Sequence, residues 1–160
     1  MKALITGASS GLGRDFAIKL SEMGYDLILV ARRKDRLEEL KETLKTDVQI
    51  IPMDLSSTFN CAKLFNKVKE QDIDVFINNA GFGLASKFVD SSLDKELDMI
   101  DLNIKALHTL TKYFVQKFND ANKGYILNVA SSASFQPGPL MATYYATKSY
   151  VYSLTMAISE

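Results

Sequence analysis

A tyrosine and a lysine one helical turn apart can share the work of moving a proton. The stretch ATYYATKSY at residues 142–150 holds two adjacent tyrosines, and Lys148 stands four residues beyond the first of them, Tyr144. A free phenol keeps its proton up to a pKa of roughly 10. A neighbouring ammonium favours the phenolate and brings that proton within reach of acid–base chemistry near neutrality. The same pairing also occurs on ordinary helix surfaces. The stretch alone therefore leaves open whether Tyr144 or Tyr145 is used, or whether either is.

A second stretch offers binding rather than proton transfer. TGASSGLG at residues 6–13 follows an apolar β-branched run and precedes a helical pattern. Gly7 permits a sharp exit from a strand, Gly11 a close approach of backbone to a ligand, and Gly13 tight packing of the helix behind it. A helix N-terminus there would turn unpaired N–H groups toward an anion such as a pyrophosphate. The spacing is G-x3-G-x-G, not the common G-x-G-x-x-G, and a purely structural turn is the competing reading. Some twenty residues on, at the end of the second apolar run, VARRKDR places Ala31 where an acidic residue would hold a ribose, followed by Arg32 and Arg33. Two guanidiniums in that place favour a ribose 2′-phosphate, hence NADP over NAD. The alternative is a pair of solvated arginines opening a charged helix.

These residues need elements to position them. KALIT (2–6), DLILV (26–30), VQIIP (48–52), DVFIN (74–78) and YILNVA (125–130) read as strands. Their near-continuous apolar character suits a parallel sheet covered on both faces. Between them lie helical patterns. Leu12, Phe16, Leu20 and Met23 form the expected inner stripe of the first, which Gly24 stops. Leu37, Leu40 and Leu44 form that of the second, over 34–45. A third helix is expected over about 57–70. A long fourth, over about 93–118, carries Leu97, Ile100, Ile104, Leu107, Thr111, Phe114 and Phe118 along one stripe. The last begins near Met141 and is read as still running at the end of the chain. Such alternation predicts one α/β domain over residues 1–160, a doubly wound parallel sheet with right-handed crossovers.

Composition narrows the functions further. Lysine plus arginine equals aspartate plus glutamate at 19 each, so no net field recruits nucleic acid or an acidic membrane surface. One cysteine, Cys61, and one histidine, His108, exclude an internal disulfide and a zinc site of the usual kind. Cys61 reads as a packing residue and His108 as a surface or interface residue. No G-x-S-x-G elbow accompanies the lone histidine, which argues against a hydrolase triad. No apolar run reaches membrane-spanning length, and the opening MKALITGASSG lacks a signal-peptide core, so a cytoplasmic location is expected.

Taken in order along one chain, TGASSGLG, NNAG (78–81) and YYATK resemble the marks of the short-chain dehydrogenase/reductase family, and the resemblance runs over essentially all 160 residues. It implies a Rossmann fold and an oxidoreductase. Such an enzyme moves a hydride between NADP(H), with NAD less favoured, and a carbonyl or hydroxyl group of a small-molecule substrate. It also implies that Gly7, Ser9, Ser10, Gly11, Leu12 and Gly13 border the cofactor. Arg32 and Arg33, Asp54 and Leu55 in PMDLS, and Asn79, Ala80 and Gly81 border it too. Asn78 would steady the sheet. By the same resemblance Tyr144, with Lys148 at its fourth position, is the general acid/base, and Tyr145 is left to packing. Lys148 also holds the nicotinamide ribose, and Asn103 in DLNIKA holds a water linking Lys148 to solvent. Ser131, thirteen residues before Tyr144, is chosen over Ser132 and Ser134 as the donor to the substrate oxygen. Asn103 bonded to backbone and Ser131 satisfying a strand end are the plainer competing roles.

A substrate pocket is expected near GFGLAS (81–86) and SFQPGPLMA (134–142), where Phe82, Leu84, Phe135, Leu140 and Met141 favour an apolar compound. Family members continue beyond the Tyr–Lys helix. The chain is therefore read as the N-terminal portion of a longer reductase, without the later strands and substrate lid. Subunit pairing through the fourth helix and the Tyr–Lys helix is expected to give a homo-oligomer. The competing function is a dinucleotide-binding or scaffolding fragment without turnover.

Overall fold

The computed structural model describes residues 1–159. Five strands form one sheet in the order β3-β2-β1-β4-β5: β1 Lys2–Thr6, β2 Asp26–Ala31, β3 Val48–Pro52, β4 Val75–Asn78 and β5 Tyr125–Asn128. Every pairing is parallel. The doubly wound α/β reading therefore holds, with β5 ending two residues earlier than its apolar run. Neighbouring residues of one strand serve opposite faces. Leu4, Ile28 and Val30 belong to one core, while Ala3, Ile5, Leu27 and Leu29 belong to the other. Burial on both faces explains why these strands read as unbroken apolar runs rather than alternating ones.

The helices are α1 Gly11–Glu22, α2 Lys34–Thr43, α3 Thr58–Val68, α4 Leu93–Ile100, α5 Leu107–Ala121 and α6 Ala142–Ile158. The first core takes Leu64 from α3 and Phe114 from α5, whose ring stacks on Phe76 of β4 at 4.0 Å. The second takes Ala17 from α1 and Leu37 and Leu40 from α2. Leu44, one residue past the end of α2, still packs against that core.

Two helical stripes differ from expectation, and each has a physical cause. On α1 the buried residues are Gly13, Ala17 and Ser21; Phe16 and Leu20 pack against the core as expected, half-buried, while Leu12 and the capping Met23 are 60% and 57% exposed. Close approach to the sheet, not bulk, decides that face: a Cβ on Gly13 would lie 2.3 Å from the carbonyl oxygen of Gly7. The expected long fourth helix is continuous, but Asp101–Ala106 is π-helical. The wider turn shifts the helical phase. Leu107, Thr111, Phe114 and Phe118 are buried as expected, yet Met99 before the π-helical turn and Asn103 within it are buried, and Leu97 is 47% exposed. Helix α6 also ends within the described residues, at Ile158.

The strand order reverses between β1 and β4, so their following loops diverge to opposite faces and leave a crevice between them. A buried polar chain braces that edge. Asn78 Nδ2 donates to the Leu107 carbonyl and to Thr111 Oγ1 at 3.0 and 3.2 Å. Thr111 Oγ1 donates to Asn128 Oδ1, and Asn128 Nδ2 to Thr155 Oγ1, both at 3.0 Å. Thr111 thus joins β4 to β5 besides packing on them. Replacing it with valine keeps the shape but strands a donor on Asn78 and an acceptor on Asn128. Thr111→Val is expected to lower the unfolding free energy by about 2 kcal/mol. An unchanged urea midpoint would show that the chain does not brace the sheet.

Candidate active site

A cleft of about 520 Å³ opens at the reversal point. One wall is the loop from Gly7 to Gly11, which runs into α1. Gly7 has φ +68°, and a Cβ there would come within 2.8 Å of Asn79 Nδ2 and 2.9 Å of Ala80 Cα. Only glycine fits both that backbone and that contact. From across the crevice Asn79 Nδ2 donates to the Thr6 carbonyl at 3.0 Å, and the Asn79 and Ala80 N–H groups both donate to Thr6 Oγ1 at 3.0 Å. The first and fourth strand ends are thereby locked together under the loop.

At one end of the cleft Arg32 and Arg33 stand beside Ser9 and Ser10. Arg33 Nη2 donates to the hydroxyls of Ser9 and Ser10 at 3.1 and 3.0 Å, drawing the guanidinium across the loop. Asp54 and Leu55 form the adjoining edge, where Asp54 Oδ1 accepts from the Ser56 N–H at 3.0 Å. At the other end lie Tyr144 and Lys148. They leave the same face of α6, with Lys148 Nζ 5.8 Å from the centre of the Tyr144 ring. Tyr145 turns away, and its ring lies against the backbone of Gly138, where a Cβ would come within 2.4 Å.

Lys148 is 6% exposed, and its Nζ donates to the Val129 carbonyl at 2.8 Å. Burial disfavours the ammonium and holds its pKa below the ordinary 10.5. Asn103, also buried, uses its whole amide on protein groups. Oδ1 accepts from the Phe82 N–H at 3.1 Å, and Nδ2 donates to the Phe82 carbonyl at 2.9 Å and to Thr147 Oγ1 at 3.1 Å. Ser131 caps a short 3₁₀ turn, Ser132–Phe135, and its Oγ accepts from the Ala133 N–H at 3.1 Å.

Most of the residues singled out from the sequence line this one cleft: Gly7, Ser9, Ser10, Gly11, Leu12, Arg32, Arg33, Asp54, Leu55, Asn79, Ala80, Gly81, Tyr144 and Lys148. Three are not among its lining residues. Gly13 is packed beneath the loop, Asn103 lies behind Phe82, and half-buried Ser131 accepts a cap bond that leaves its hydroxyl hydrogen uncommitted. Of the five apolar pocket residues expected, Phe82 and Met141 are at the cleft. Leu84 and Leu140 line a separate small cavity, and Phe135 packs its ring on Tyr152 at 4.8 Å. Met53, Gly83, Leu102, Val129 and Ala130 also line the cleft. Their signal is weak: each is an apolar or glycine residue near a strand end or a neighbouring loop, except Leu102, which lies in the π-helical turn. His108 is exposed, with Nδ1 2.7 Å from the Tyr150 hydroxyl. Cys61 is buried in the core, which pushes its thiol up to about 11.

A glycine loop at the reversal point of a doubly wound parallel sheet is the architecture of dinucleotide-binding folds. Comparison with known proteins narrows that class. The model of the short chain dehydrogenase family matches residues 1–160. An uncharacterized oxidoreductase of Staphylococcus epidermidis is 34% identical over 161 residues, covering 99% of this chain and 70% of that protein. A short-chain dehydrogenase from Sphingobium yanoikuyae, solved in complex with NADPH, superposes with a TM-score of 0.91 at 33% identity. That match covers 98% of this chain and 63% of the other. A metagenomic short-chain oxidoreductase in complex with NADP gives 0.92 at 28% identity, covering 98% and 74%. The chain belongs to the short-chain dehydrogenase family and spans about two thirds of the length of these relatives.

Lys148 carries a pH signature. With its folded-state pKa below 10.5, the unfolded chain binds more protons through the interval between the two values, so stability rises with pH there. The stability of the wild type relative to Lys148→Met is expected to increase as pH climbs toward 10.5. Urea titrations at several pH values measure this, and a difference independent of pH would mean that the ammonium is not held in a desolvated site.

Proposed function

We propose that this chain forms the cofactor-binding and proton-transfer part of an NADP(H)-dependent oxidoreductase acting on the carbonyl or hydroxyl group of an apolar small molecule. One observation carries the reading: a single cleft has an arginine pair at one end and the Tyr144–Lys148 pair at the other. The fit to a dinucleotide rests on the loop itself. The missing side chain at Gly11 leaves open space over the backbone at the start of α1, where a pyrophosphate would be held.

Arg32 and Arg33 would take a ribose 2′-phosphate, with the Ser9 and Ser10 hydroxyls already oriented toward Arg33. Leu55 and Met53 would flank the base, and Lys148 the second ribose. A bound nicotinamide supplies or accepts the hydride. Tyr144 gives its phenolic proton to the substrate oxygen during reduction and takes it back during oxidation. The Lys148 ammonium favours the phenolate that remains. Ser131 is proposed as a hydrogen-bond donor to the same oxygen, which requires its hydroxyl hydrogen to point toward the cleft while the oxygen keeps its cap. Phe82 and Met141 give the reacting end an apolar wall, which supports an apolar substrate.

Fluorescence titration with NADPH and NADH tests the cofactor half. NADPH is expected to bind the tighter, and Arg33→Ala to weaken NADPH by about tenfold or more with NADH little changed. Equal weakening of both would remove the 2′-phosphate role. For the proton half, Tyr144→Phe is expected to lower kcat for carbonyl reduction by about 10²–10⁴-fold without loss of NADPH binding. NADPH binding with no Tyr144-dependent turnover would leave a binding module instead.

A further inference from the structure

Thr147 is 1% exposed and lies between the tyrosine and lysine of the cleft, yet it does not line the cleft. Its single hydroxyl hydrogen goes to the Tyr144 carbonyl at 2.8 Å. Toward Asn103 the oxygen can then only accept, and it does so from Nδ2 at 3.1 Å. The same orientation serves the far side of the amide. With Nδ2 held toward Thr147, Oδ1 meets the Phe82 N–H and the second Nδ2 hydrogen meets the Phe82 carbonyl. A flipped amide would set oxygen against oxygen at Thr147 and donor against donor at Phe82.

The segment held in this way is the wall on which the phenol rests. A Cβ on Gly83 would lie 3.1 Å from Tyr144 Cδ2, so the ring is in close contact with that backbone. A Cβ on Gly81 would lie 2.9 Å from Asn103 Oδ1, so the amide fits equally closely from behind. Asn103 itself is presented by the π-helical turn, which brings it to the side of α6 while the following residues stay on the sheet. We infer that Thr147 is a positioning residue for Tyr144: its hydroxyl oxygen anchors the Asn103 amide in the orientation that the Phe82 N–H and carbonyl also require, and the anchored amide clamps Phe82 and so fixes the Gly81–Gly83 wall beneath the phenol. The inference rests on the proposed role of Tyr144 for its effect on turnover, and on geometry alone for its effect on the wall.

The test uses the full chain with Thr147→Val, which keeps the shape and removes the hydroxyl, and Thr147→Ser, which retains it. Amide hydrogen exchange is expected to speed up by about tenfold at Phe82 in the valine variant, with the amide of Val151 on α6 unchanged. The Tyr144 ring resonances should shift with it, and the serine variant should restore both. In a carbonyl-reduction assay Thr147→Val should lower kcat by about tenfold with NADPH affinity unchanged. Wild-type exchange at Phe82 in the valine variant overturns the inference. So does equal loosening at Phe82 and Val151, which is a merely structural defect, and so does a loosened wall with unchanged ring resonances. A wild-type chain with no Tyr144-dependent turnover defeats the functional reading instead, and the exchange and ring measurements then decide Thr147 by themselves.

Discussion

A parallel strand leaves its sheet with backbone and side-chain polar groups that no neighbouring strand pairs, and here five such strands finish along one edge. Burying that edge without partners would cost about 1–3 kcal/mol for each stranded group. The chain meets the constraint with short polar side chains set at the strand ends. Thr6 receives two N–H groups of the fourth-strand loop, and Asn78, Thr111, Asn128 and Thr155 bond in series from β4 across α5 and β5 to α6. The cleft loops that follow β1, β4 and β5 leave from strands tied into this row. Their geometry is therefore inherited from the sheet rather than from the loops' own preferences.

On that base the two ends of the cleft use opposite electrostatic strategies. The arginine end is exposed, and Arg33 is steered by hydroxyls rather than by a carboxylate, so its charge is oriented without being neutralised. At the lysine end the charge is buried. Lys148 keeps one backbone carbonyl as its partner, and burial lowers its proton affinity. A desolvated ammonium next to a phenol acts more strongly than an exposed one, because little water screens the pair. The loss of solvation at Lys148 is thus a stability cost located where a charge would have the greatest chemical effect.

The π-helical turn links these two requirements. The α4–α5 rod must lay Leu107, Thr111, Phe114 and Phe118 on the sheet and also turn Asn103 toward α6. A regular helix drawn through the sheet-facing residues puts Ile104 and Ile100 on that stripe. The extra residue per turn over Asp101–Ala106 rotates the earlier part away, so Met99 and Asn103 become the buried pair. Apolar periodicity does not announce this change, because Leu97, Ile100 and Ile104 continue the pattern in the sequence while the backbone leaves it.

Much of the protein was legible before any coordinates. The strands are apolar runs because both faces of the sheet are buried, and the loop at residues 6–13 demands glycine because backbone must pass within van der Waals contact of backbone. The Tyr144–Lys148 spacing places both groups on one helical face, a consequence of the 3.6-residue turn and nothing more distant. Those features follow from local chain geometry, and local geometry is written in neighbouring residues. The small-residue face of α1, the phase shift before α5 and the protein hydrogen bonds made by Asn103, Ser131 and Thr147 were visible only in the tertiary structure. The Asn103 bonds depend on partners 21 and 44 residues away, whose distance and direction fix which donor meets which acceptor, and no spacing along the chain encodes that meeting.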